Sequence, residues 1–323
     1  VSVDVSSSIS FSNETDGFSV LFADANAHIY ESESANLSVV DDAEAVLATQ
    51  NGSGDYFNAS DVLRSAIENN TISVLYQPIF NVNSKRIVSL DTIVRVHDKK
   101  GRTLTPYFVM AEAYRLGMSA QLTLDVLDTC VKDMTDFRKV APELDIVGIY
   151  MNGSELTNSR FHERLEQLTH EQPHLRFGLQ MGSHAIHVLH DEADDEVTDL
   201  AALPNVKLGL IHAGTTYSEI AAFARLPLDF AQFDETMVRE FRVPRAMQIM
   251  QHTLNISRDN GAYQVVFNGV ETPEQVDFIR SIGGSLVEGT LLCNAMSANE
   301  FLMRLETMGT VLPDAALPQA EQA

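Results

Sequence analysis

LGLIHAGTTYSEIAAFARLPLDFAQFD, residues 208–234, reads as one complete unit of an alternating α/β fold. LGLI is a short apolar run of the kind a fully buried strand carries. Gly214 breaks it, and YSEIAAFARL (217–226) then spaces its apolar residues as an amphipathic helix. FAQFD (230–234) returns to strand. In such folds the chemistry sits where a strand gives way to a loop. That place here holds Ile211 and His212.

Outward from this unit the same texture continues in both directions. SDVLRSAIEN opens a helix on Ser60 as N-cap, with Val62, Leu63, Ala66 and Ile67 on one face. Strands are expected in VLYQPIF, IVSLDTIVRV, IVGIYMN, RFGLQM, VKLGLI, YQVVFN and SLVEG. Helices are expected in YFVMAEAYRLG, TLDVLDTCVKDM, SRFHERLEQLT, HAIHVLHDEADDEVTDLAAL, PRAMQIMQHTLNISRDN, PEQVDFIRSIG and ANEFLMRLETM. Seven or eight such units over about 250 residues are what a (β/α)₈ barrel needs. The sequence divides into an N-terminal extension (1–58), a barrel (59–310) and a loose tail (311–323).

The chain has 323 residues, 45% of them apolar, enough for one large domain with an appendage. Lys and Arg number 22 against 45 Asp and Glu, a net charge of −23. That excludes a broad nucleic-acid or anionic-membrane surface, which needs a basic face. Cys130 and Cys293 are far apart, so no disulfide framework or zinc knuckle is implied and a reducing cytoplasm fits. No apolar run reaches membrane-spanning length. The start at Val1 fits an excised fragment, and a membrane-tethered parent stays open.

On a barrel, the strand ends supply the candidate site: Asp91, Arg95, Asn152, Gln180, Ile211, His212, Gln232, Asn268 and Glu288. His184, His187 and His190 share a helix with the acidic DEADDE, which reads as a solvated polar face.

YQPIF (76–80), the Pro106-x-Phe108-x-x-Ala111-Glu112 spacing, FNGVETPEQ (267–275) and VEGTLL resemble the EAL domain, a family that hydrolyses the bacterial second messenger cyclic di-GMP. The resemblance covers residues 59–310 and implies an α/β (β/α)₈ TIM-like barrel with one antiparallel strand. It also implies roles. The glutamate of the signature falls on Asp91 and its arginine on Arg95. The metal-binding asparagine falls on Asn152 and a glutamate on Gln180. The paired acids fall on Ile211 and His212. The water-activating lysine falls on Gln232, a further acid on Asn268, and a glutamine on Glu288. Ligand contact is implied for Gln77, Pro78, Asp91, Arg95, Pro106 and Glu271. For Gln77 and Arg95, merely holding strands in place is an equal reading, and for Glu271 bracing the 212–218 loop is the favoured one.

Metal-assisted phosphodiester hydrolysis needs hard, mostly anionic oxygen ligands for Mg²⁺ or Mn²⁺. The implied shell shrinks to Asp91, Asn152 and neutral Gln180, and Asp91 retracts by about 1.5 Å relative to a glutamate. Asp91, His212 and Asn152 are too few for a softer metal. Glu288 is expected to place a negative charge beside a dianionic nucleotide.

The expectation is therefore a catalytically inactive EAL protein, a cyclic di-GMP receptor or a protein-docking adaptor, without a cofactor; the resemblance also implies a homodimer. The alternative is residual phosphodiesterase activity with Mg²⁺ or Mn²⁺. For residues 1–58 two readings stand: the tail of a degenerate GGDEF domain, or an irregular extension packed on the barrel.

Overall fold

The computed structural model describes residues 59–97, 101, 103–182, 185, 194–213, 225–260 and 264–312. The readings for residues 1–58, for His184, His187 and His190, for most of the 217–226 helix and for the tail beyond Leu312 lie outside the described residues.

In chain order the strands are β1 (Ser73–Asn81), β2 (Arg86–His97), β3 (Thr103–Leu104), β4 (Ile146–Met151), β5 (Arg176–Met181), β6 (Val206–Ala213), β7 (Phe230–Phe233), β8 (Gln264–Phe267), β9 (Leu286–Val287) and β10 (Met296–Ser297). The helices are α1 (Ala59–Glu68), α2 (Pro106–Arg115), α3 (Ser119–Val140), α4 (Ser159–Glu171), α5 (Asp194–Ala202), α6 (Glu235–Arg239), α7 (Pro244–Asn260), α8 (Pro273–Ser281) and α9 (Ala298–Met308).

β2, β4, β5, β6, β7, β8 and β9 follow one another around the wall, each parallel to the next. β1 closes the ring, antiparallel to both β2 and β9. It is the one antiparallel stave that the resemblance implies. β3 and β10 add to the outside of the ring, on β2 and β1.

Alternation along β1 sets two faces. Tyr76 is fully buried on the outer one. Its ring meets Phe137 of α3 edge-on at 5.1 Å and stacks at 6.5 Å with Phe301 of α9. Its hydroxyl donates to Asp133 Oδ2 at 2.7 Å, so the one polar atom this packing buries is satisfied. Gln77 and Asp91, opposite one another in register, take the inner face.

Inside the barrel the residues stack in layers. Phe230 fills the lower level, where glycines make room for it: a Cβ on Gly209 would lie 2.0 Å from its ring. The level above is polar. A Cβ on Gly148 would come within 2.6 Å of both Asp91 Oδ1 and Gln180 Nε2. Gly148 is the space into which those two side chains reach.

Candidate functional site

Four side chains from four staves meet in that polar layer. Gln180 Nε2 donates to Asp91 Oδ1 at 2.7 Å. Gln232 Nε2 donates to Asp91 Oδ2 at 3.0 Å and to Glu288 Oε2 at 2.8 Å. Asp91, Gln180, Gln232 and Glu288 are all buried.

Two carboxyls this close in a dry layer cannot both ionise cheaply. Burial, then the Asp91 carboxylate beside it, pushes Glu288 well above the ordinary carboxylate range. Burial also raises Asp91, opposed by hydrogen bonds from Glu288, Gln232 and Gln180. Both carboxyls therefore favour their protonated forms more than solvated ones do, Glu288 the more strongly.

Asn152 follows β4 at the rim and is buried. Its Nδ2 donates to the Met110 carbonyl at 2.7 Å and to Ser119 Oγ at 3.2 Å, which fixes which end of the amide can accept. Its backbone is held from below by Glu155, a residue the sequence reading missed. Glu155 Oε2 accepts the Asn152 and Gly153 N–H groups at 3.1 and 2.9 Å, and Thr123 Oγ1 donates to Oε1 at 2.7 Å. An acid three residues after the strand-end asparagine was the available signal.

Arg95 lies on the inner face of β2, four residues beyond Asp91 and about 13 Å nearer the mouth. Burial lowers its pKa, yet a guanidinium stays charged. Gln77 Nε2 reaches the Cys293 carbonyl at 3.3 Å. Pro78 is buried in β1. Pro106 is the first residue of α2, behind the N-cap Thr105. Glu271 is exposed ahead of α8, and its N–H donates to Gln275 Oε1 at 2.7 Å. Asn268 is half-buried after β8.

Ile211 and His212 part company. Ile211 is buried and can ligate nothing. The His212 side chain is half exposed, and its Nδ1 lies 2.9 Å from Asp234 Oδ2. Asp234, also missed in the sequence, ends β7 and caps α6 through Thr236. Aspartate just before a helix start was its signal.

Among the described residues no three His, Cys, Asp or Glu side chains converge on a metal position. A protein-only cage for two ions is therefore not supplied by them. The donor chemistry does fit one hard cation. Mg²⁺ is commonly held by one or two carboxylates, with substrate phosphates supplying further oxygens. Asp91 and Glu288 meet that count, with the Gln180 amide beside Asp91 and Asn152 at the rim. The sequence reading left Glu288 out of the shell.

The EAL domain family matches residues 60–295. The chain is 25% identical over 246 residues to a probable cyclic di-GMP phosphodiesterase, PdeB of Escherichia coli K12, covering 74% of this chain and 46% of PdeB. It is 26% identical over 264 residues to the cyclic di-GMP phosphodiesterase NbdA of Pseudomonas aeruginosa, covering 80% of this chain and 33% of NbdA. The chain thus spans less than half the length of these relatives. Among solved structures, the EAL enzyme Bd1971 with cAMP and cyclic di-GMP bound superposes with a TM-score of 0.68 at 16% identity, over 90% of this chain and 76% of that one. These relatives are named as enzymes, which overturns the expectation of a non-enzyme. That expectation treated the protein's own carboxylates as the whole ligand supply, and read Glu288 as a charge set against the nucleotide. On the family match and the closed barrel together, the chain belongs to the EAL domain family.

Proposed function

We propose that this domain hydrolyses a phosphodiester bond of cyclic di-GMP at the mouth of its barrel, with one divalent cation held by Asp91 and Glu288. The observation that carries the reading is the meeting of these two carboxyls with Gln180 and Gln232 below the rim that bears Asn152 and Arg95. The names of the relatives support the substrate class.

Arg95, on the lumen face nearer the mouth, pairs with a phosphate and orients the ring nucleotide. Asp91 and Glu288 hold Mg²⁺ or Mn²⁺, with Asn152 and Gln180 as amide donors. Such an ion, when bound, stabilises charge developing on the phosphoryl oxygens. The half-buried ring of Phe230 lies beneath the site, on its underside.

Asp91→Asn tests this assignment. It keeps an oxygen acceptor but removes the charge that does most to hold a cation. Turnover of cyclic di-GMP is expected to fall at least about 100-fold, as for loss of a principal electrostatic group. Undiminished turnover in a folded Asp91→Asn protein would remove Asp91 from the site.

A further inference from the structure

Gln232 stands where the barrel wall is irregular. The β6–β7 ladder slips: it pairs Leu210 with Ala231 and Ala213 with Phe233, so Ile211 and His212 of β6 together oppose Gln232 alone. On its other side Gln232 keeps its place in the ladder, opposite Val266 of β8. A bulge of this kind, two residues against one, re-aims a side chain and recurs next to active sites. Ala231 and Phe233 are buried on the opposite face of β7, Phe233 against the Phe267 ring at 5.3 Å, so the strand itself is anchored. Any adjustment at this position falls to the Gln232 side chain.

That side chain holds two carboxyls with one nitrogen. Nε2 donates to Asp91 Oδ2 at 3.0 Å and to Glu288 Oε2 at 2.8 Å, which uses both of its hydrogens. Gln180 Nε2, at 2.7 Å, takes the other Asp91 oxygen, Oδ1. Gly148 leaves the space for that contact, since a Cβ there would lie 2.6 Å from both Asp91 Oδ1 and Gln180 Nε2. Asp91 is therefore clamped on both oxygens, and Glu288 is tied to it through the shared amide nitrogen. The two carboxyls cannot turn to a new partner unless an old one lets go, and the partner they share is Gln232.

We propose that the Gln232 amide is a built-in competitor for the divalent cation. It engages one oxygen of each carboxyl, and an ion held by both binds as the amide gives those two bonds up. The inference rests on the phosphodiesterase reading above, which places a cation on Asp91 and Glu288. An N–H group and a cation seek the same oxygen lone pairs, and hydrogen bonds to charged groups are strong enough to weigh in that exchange. Gln232 thus raises the cation concentration at which the site fills, and adds nothing to the charge that holds the ion.

The test titrates Mn²⁺ alone into the purified wild-type chain, Gln232→Met and Gln232→Leu, and reads the free ion by electron paramagnetic resonance. Both substitutions are apolar, close to glutamine in size and unable to donate. Each is expected to bind Mn²⁺ about 10- to 100-fold more tightly than wild type, as for removal of one charged hydrogen bond that opposes the ion. Thermal melting followed by circular dichroism gives a second readout. Without cation each variant should melt below wild type, and saturating Mn²⁺ should raise its Tm by more than it raises that of wild type. If wild type binds Mn²⁺ and the folded variants bind it equally or more weakly, the competition is overturned, and turnover of cyclic di-GMP by wild type still decides the phosphodiesterase reading. If neither wild type nor variants bind the ion, with or without cyclic di-GMP, both readings fall. Variants that do not fold even in saturating Mn²⁺ would make Gln232 a support of the barrel and overturn the proposal.

Discussion

Gly148 shows how much a single position constrains this site. Any side chain there must displace Asp91 or Gln180, whose polar atoms sit 2.6 Å from where its Cβ would be. Both are buried with no room to give. Gly148→Ala is expected to lower stability by about 1–3 kcal/mol, the usual cost of overpacking a tight interior. Denaturant titration checks it: the midpoint should fall while the m-value holds. Asp234 gives a second residue-scale prediction, with a definite sign. Its folded-state pKa of about 2 is below the ordinary value of 3.8. The stabilisation is therefore fully present above about pH 4 and lost as pH falls through 2. It amounts to about 1 to 2 kcal/mol, discounted because the partner ring is half open to solvent. Melting curves between pH 6 and pH 2 should show wild type and Asp234→Asn converging at the acid end. An unchanged gap would show that the carboxylate's charge is not what stabilises. The sequence displayed Asp91, Gln180, Gln232 and Glu288 as strand-end residues. It did not reveal that Glu288 sits against Asp91, because that depends on how far around the barrel β9 lies from β2.

Among the elements, the turn after β4 is the one on which the site leans most. Residues 152–155 would leave two backbone N–H groups and the Thr123 hydroxyl without acceptors were Glu155 not folded beneath them. Burial pushes the Glu155 carboxyl up, and bonds from Thr123 and the backbone oppose that rise. Glu155→Ala should cost about 2–4 kcal/mol, since it strands buried donors. Glu155→Gln keeps an acceptor and should recover most of that. Thermal melts of the two variants measure it, and equal losses in both would place the cost in the charge. The strands and helices were legible because apolar runs, Gly and capping residues mark them, as Thr272–Gln275 and Ser297–Glu300 do at α8 and α9. The two-residue strands β3 and β10 were not, since pairs that short carry no periodicity. The slip at Ile211–His212 was also hidden: it is set by the partner strand β7, which local pattern does not encode.

At the scale of the whole molecule, alternating α/β units pointed to the barrel, and YQPIF with FNGVETPEQ pointed to the family that residues 60–295 match. Function was harder to read than fold. A tally of residues at expected positions does not show which side chains meet across the barrel, and it ignores what a substrate's own phosphates contribute. The most direct measurement incubates the purified chain with cyclic di-GMP and Mn²⁺ or Mg²⁺ and separates the products by chromatography over time. The account predicts steady appearance of a linear dinucleotide that stops when EDTA is added. Cyclic di-GMP left intact at every time point, with a folded protein and either cation present, would contradict it.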